Sequence, residues 1–236
     1  MNLSMKRVGA IFIKDWKDLK RNSYVLFTIF MPVVFAAFIG QVGMENSSQF
    51  LLPVNMALIM SAAFVQASMV AEEKEKNTLR GLLLSPASTL EIFIGKSVLT
   101  GVVTIIVILL SILLSEVQLK GIAPLSIGIF FSLIAFISIG TMIGLLSRNV
   151  IETGIVGMPV LVLFLGSSML TQIIENKTVK NVLSFLPNEQ LSVMSIKLYE
   201  GAAFHHVFEN IAVIAAWAAA TVVLTFLLYK KSMADK

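Results

Sequence analysis

Six apolar runs, each long enough to cross a hydrocarbon core of about 30 Å as a helix of about 20 residues, constrain this 236-residue chain more than any other feature. They lie at about 24–43, 51–71, 93–115, 122–146, 151–171 and 207–229. Backbone amides have no water partner in lipid, so such runs fold as helices that satisfy themselves. The predicted fold is all-α: a polytopic membrane protein with six transmembrane helices, residues 1–236 forming one transmembrane domain. Composition agrees, with 14% charged residues where soluble domains carry about 25%.

Residues 1–22 predict an amphipathic helix lying in the membrane interface. Val8, Phe12, Trp16 and Leu19 recur at helical spacing, and Lys6, Arg7, Lys14, Lys17, Lys20 and Arg21 fill much of the rest. The same residues would also serve simply as a positive flank orienting the first span. No short apolar segment with a small-residue cleavage site precedes that span, so no cleavable signal peptide is expected. The connection 171–206 is too apolar for a free loop and too interrupted for a span; short helices dipping into the outer leaflet, re-entrant before the last span, fit it.

Lys and Arg set the orientation. Fourteen of the 18 fall on the side of the N-terminal segment, the 72–91 region with Lys96, Arg148 and the C-terminal tail; only Lys120, Lys177, Lys180 and Lys197 fall on the other. Both termini and residues 72–91 are therefore expected in the cytoplasm, with the chain in the cell membrane. The net charge of +4 belongs to these flanks and predicts no nucleic-acid binding.

The polar island 72–91 is the segment that carries function. Mixed charges at Glu72 to Lys76 and Arg80 offer directional pairs to a soluble partner, and Leu79, Leu82 and Leu83 suit an apolar groove. Ser88 and Glu91 have capping-box spacing and open the third span. A solvated loop that only orients helices is the plainer reading. The run Glu73-Lys74-Glu75-Lys76-Asn77-Thr78-Leu79-Arg80-Gly81-Leu82, followed by Ser85-Pro86-Ala87-Ser88 and Gly95-Lys96, resembles the coupling segment of ABC-2 type transporter permeases. The amphipathic start, six spans, the Leu163–Ser168 run and the Leu186-Pro187 pair extend the likeness over most of the chain. Two residues depart from the family pattern. Asn77 stands where Gly is usual, though Asn tolerates left-handed backbone, and Lys74 replaces an Arg, losing the bidentate fork.

The resemblance implies a permease subunit of an ATP-driven exporter. A second permease subunit, as homodimer or heterodimer, and separate ATP-binding subunits that hold ATP and Mg would be its partners. Glu73, Lys74, Glu75, Thr78, Leu79, Arg80 and Leu82 would couple to the ATPase. No cofactor is expected in this chain. Gly95-Lys96-Ser97 ends like a phosphate-binding loop, but position 90 is Leu where the motif needs Gly, and no strand precedes it. Lys96 is instead expected to snorkel to the headgroups.

The span cores read as free of Asp, Glu, Lys, Arg and His, which argues against a self-sufficient ion-driven carrier and an intramembrane enzyme. Gln41, Asn55 and Gln66 are the main polar side chains there and mark a possible translocation path. A charge-free core suits a hydrophobic or amphipathic cargo such as a drug, antibiotic, peptide or lipid-linked molecule. A sodium-type ion exporter and a non-transporting scaffold or immunity subunit stay open. Gly140 and Gly144 form a GxxxG pair for close helix approach, within the subunit or at a dimer seam. Adjacent His205 and His206 lack the spacing of a metal pair. There is no Cys.

Overall fold

A computed structural model describes residues 4–42, 51–83 and 85–234; the side chains of Leu79, Arg80, Leu83, Thr89, Gln172 and 231–234 lie outside that description, as does the short turn, Met44 to Phe50, that the gap between the first two apolar runs predicts. The described residues form helices and the turns that connect them, with no strand. In order they are α1 (Met5–Leu19), α2 (Ser23–Val42), α3 (Leu52–Met56), a π-helical segment (Ala57–Phe64), α4 (Val65–Glu75), α5 (Thr78–Leu83), α6 (Thr89–Leu114), α7 (Ile122–Leu146), α8 (Val150–Ile173), α9 (Lys177–Ser184), α10 (Pro187–Tyr199) and α11 (Phe204–Ala234). Among the described residues six helices are long and apolar enough to cross a membrane, with α3, the π segment and α4 running on as one, Leu52–Glu75.

That second span is the axis of the bundle. Its apolar window is 89% buried, against 67% for α7 and 22–39% for the other four. The outer helices leave apolar faces uncovered: Phe27, Phe30 and Phe38 on α2, and Leu109 and Leu113 on α6, are all more than half exposed. Such faces aggregate in water but are at ease against acyl chains or a second apolar surface.

Small residues bring α7 onto this axis. A Cβ on Gly140 would collide with the Ala63 carbonyl, and one on Gly144 would lie 2.6 Å from the Ala67 oxygen. Both open uses of the GxxxG pair are thereby decided in favour of packing inside the chain. Gly157 of α8 is likewise seated against the Phe64 ring. The π-helical stretch, which no residue pattern announces, lies where these glycines converge. Its i→i+5 turns widen the backbone that the neighbouring helices touch.

The expected capping box forms. Ser88 Oγ accepts from Glu91 N (3.2 Å) and Glu91 Oε2 accepts from Ser88 N (2.7 Å), closing a capping box at the start of α6. Asn149 caps α8 by accepting from Glu152 N at 2.8 Å.

One expectation changes. The buried stripe of α1 is Val8, Ile11, Asp15 and Leu19, not Val8, Phe12, Trp16 and Leu19. Phe12 is half-buried against the core, and Trp16, 40% exposed beneath the Lys20 ammonium, shares a second apolar face with Met5 and Ile13. The helix packs on α6, where Gly95 lets Ile11 approach, and so presents one face to protein and another outward. The connection 171–206 contains α9 and α10; Leu191, Met194 and Leu198 of α10 are buried against α7 and α11.

Candidate functional site

The island folds as the end of α4, a tight reversal and the short α5. Asn77 makes the reversal with φ of 57°, the left-handed geometry that Asn tolerates. Thr78 Oγ1 donates to the Glu73 carbonyl at 3.2 Å and ties the start of α5 to the end of α4. Thr78 and Gly81 are exposed and Leu82 is half-buried. Among the described residues a Cβ on Gly81 would meet nothing within 4 Å, so this part of α5 faces away from them. The side chains of Leu79 and Arg80 lie outside the described residues.

Glu73 points inward, into a buried ion cluster that joins three elements. Lys96 of α6 is 1% exposed and pairs with Asp15 of α1 (3.4 Å) and with Glu73 Oε2. Lys14 of α1 closes the cluster from the rim, pairing with Glu73 Oε1, Asp15 (3.3 Å) and Asp18 (3.5 Å). Two ammonium groups thus balance the two buried carboxylates, 2% and 7% exposed, with the more exposed Asp18 at the rim. Burial of charge is tolerable only when it is paired this way. Lys96 therefore does not snorkel: Asp15, brought over it by α1, holds it inside. A cavity of ≈ 160 Å³ lined by Lys14, Asp15, Glu73, Lys76 and Thr78 opens beside the cluster.

The neighbouring charges tie the corner to other elements. Glu91 accepts from Arg7 Nη2 (2.7 Å), from Arg7 Nε (3.1 Å) and from the Ser4 amide (2.7 Å), so the capping box of α6 also anchors the start of α1. Asn22 Nδ2 donates to Glu72 Oε2 at 2.7 Å while its Oδ1 caps α2 through Val25 N. Glu72 also pairs with Lys76, and accepting that hydrogen bond holds the Lys76 ammonium above its ordinary range. Lys74 Nζ donates to the carbonyls of Leu145 (2.6 Å) and Ser147 (2.8 Å), capping the end of α7. Glu75 Oε2 accepts from Val150 N (3.2 Å) at the start of α8. Glu73, Lys74 and Glu75 are thus bonded within the chain, and the outward surface is α5.

The three polar span residues do not meet. Gln41 is exposed at the last turn of α2. Gln66 is 1% exposed and clamps three helices, accepting from Thr100 Oγ1 (2.5 Å) and donating to Thr141 Oγ1 (3.0 Å). Asn55 sits at the far end of the same span and donates to Ser192 Oγ (2.9 Å) on α10.

Reading the residues alone misses Asp15 and Lys96. A signal exists for each: Asp15 stands between Ile11 and Leu19 on the apolar stripe of α1, and Lys96 between Ile92 and Leu99 on that of α6. One acid and one base, each alone on an apolar stripe, are natural partners.

Comparison with known proteins agrees with this architecture. The family model described as "ABC-2 family transporter protein" matches residues 40–227. The chain is 27% identical over 187 residues to the inner membrane transport permease YhhJ of Escherichia coli (strain K12) and to that of Shigella flexneri. Those matches cover 75% of this chain and 50% of each relative, so the chain spans about half the length of the curated relatives it matches. With four-fifths of its length under one family model, and with six apolar spans, this multi-pass membrane protein belongs to the ABC-2 transporter family.

Proposed function

We propose that this chain is the permease subunit of an ATP-driven exporter of the ABC-2 type, pairing with a second permease subunit and receiving its energy from separate ATP-binding subunits at the end that carries α1 and α5. That end is the cytoplasmic one, as the distribution of Lys and Arg supports, and the membrane is the cell membrane. The cargo is hydrophobic or amphipathic.

One observation carries the reading. The α4–α5 corner presents α5 outward while its own charged residues tie it to α1, α6 and the α7–α8 turn. A displacement of α5 by a docked ATPase has rigid, charged connections to four other elements. Glu73, Lys74 and Glu75 transmit it; Thr78, Leu82 and, from the sequence, Leu79 and Arg80 make the contact. ATP binding would close the ATPase pair and drive the two permeases between inward- and outward-facing states.

The test is mild-detergent purification of the tagged chain from its native membrane, wild type beside Gly81→Glu. The substitution adds a charge where this chain leaves open space. An ATP-binding subunit is expected with the wild type and lost from the variant, both melting alike. Absence of any ATPase partner from the intact wild-type chain would move the assignment to a scaffold.

A further inference from the structure

At the end of the bundle opposite α5, a cavity of ≈ 330 Å³ lies where the second span, α8 and α10 meet. Asn55, Ser168, Glu189 and Ser192 form its polar side. Glu189 Oε1 accepts from the hydroxyls of Ser167 and Ser168, both at 2.5 Å, and from Asn188 Nδ2 at 3.3 Å. Among the described residues the carboxylate forms no ion pair.

The donors around this cavity are used up locally. Ser192 Oγ donates to the Asn188 carbonyl (2.9 Å), Thr171 Oγ1 to the Ser168 carbonyl (2.9 Å), and Asn55 Nδ2 to Ser192 Oγ and the Asn188 carbonyl. The carboxylate acceptor is not: Glu189 lines the cavity with no cation paired to it among the described residues, and its charge suits a guest that brings positive charge and N–H donors. The amide oxygens of Asn55 and Asn188 have no hydrogen-bond partner among those residues but are closed off from the cavity surface. Leu165, Met169 and Val193 line the other side and suit an alkyl chain. A bare metal ion fits poorly, because it needs a closed shell of oxygens and this cavity is roomy and half apolar.

From this we infer that the cavity between α8, α10 and the second span binds an alkylammonium: a primary amine with an apolar tail, its ammonium on Glu189. Binding requires nothing of the permease reading; that the ligand is cargo rests on it. A soluble amphiphile and a lipid with an amine headgroup share this chemistry.

The experiment is equilibrium binding of radiolabelled dodecylamine to the purified full chain in a neutral maltoside detergent, without ATP or partner. Saturable binding at one per chain is expected, weakened about tenfold or more by Glu189→Gln, the size of a lost charge-assisted contact. Glu209→Gln, an exposed carboxylate on α11, should leave it unchanged. Glu189→Asp, which keeps the carboxylate one methylene back, should bind more tightly than Glu189→Gln, with both variants melting like wild type. Displacement by phosphatidylethanolamine would name a lipid as the ligand; resistance to it would name a soluble amphiphile. Equal binding of dodecanol, or affinity indifferent to Glu189→Gln, would overturn the inference. The ATPase co-purification above is unaffected by either result, so the two readings fail separately.

Discussion

Lys96→Met removes one cation from the buried cluster and keeps the volume of the side chain. In the wild type Lys96 (1% exposed) and Lys14 (38%) balance Asp15 (2%) and Glu73 (7%). Without Lys96, two nearly buried carboxylates share Lys14 with the more exposed Asp18. Breaking a buried pair by deleting one partner costs about 3–5 kcal/mol. Lys14 still contacts both carboxylates, so the lower end applies, about 3 kcal/mol. In a domain of this size that corresponds to a fall of roughly 6–12 °C in melting temperature. The assay is thermal melting of the purified chain in detergent. Lys96→Met with Glu73→Gln restores charge balance around Lys14 and Asp15, and is expected to recover about half the loss or more, a non-additivity that only coupled residues show. A Lys96→Met chain that melts within about 1 °C of wild type, or a double variant whose losses simply add, would refute the claim that these four residues act as a unit.

Other consequences follow from particular contacts. Gly140→Ala places a methyl on the Ala63 carbonyl, a backbone group that cannot swing aside, and should cost about 1–3 kcal/mol; Gly154→Ala, with nothing within 4 Å, should be silent in the same melting assay. Glu91→Gln keeps the capping geometry of α6 but loses the charged link to Arg7 and weakens that to Ser4. Hydrogen exchange should rise across α1 and not across α6, and equal protection would contradict the anchoring role. Lys74→Met deprives the Leu145 and Ser147 carbonyls of their donor; the ATPase partner should still co-purify while its substrate-stimulated turnover falls, and unchanged turnover would remove Lys74 from the transmission path.

Much of this molecule is written in local patterns. The spans follow from apolar length, the start of α6 from Ser88 and Glu91, the α4–α5 reversal from Asn77, and close helix approach from Gly140 and Gly144. Each depends on residues near one another in sequence or on bulk composition. The remainder depends on which helix lies against which. Asp15 and Lys96 are far apart in the chain, and Lys96 near a span end looks like a residue reaching for headgroups until α1 covers it. Lys74 and Glu75 look like free surface charges until the α7–α8 turn arrives beneath them. The role of Phe12 and Trp16 likewise turned on α1 having a protein neighbour, which moved its buried stripe to Ile11 and Asp15.

The chain contains no Cys, so Gly81→Cys supplies one thiol, on the outward part of α5 with open space around it. Loaded with a maleimide photo-crosslinker in native membranes and illuminated, it should attach to an ATP-binding subunit, while the same probe at Gly166 of α8 should not. Capture of an ATPase at Gly81 alone is the result this account predicts. A Gly81 probe that reaches lipid or solvent only, in membranes where the ATPase is present and the chain is folded, would contradict α5 as the docking surface.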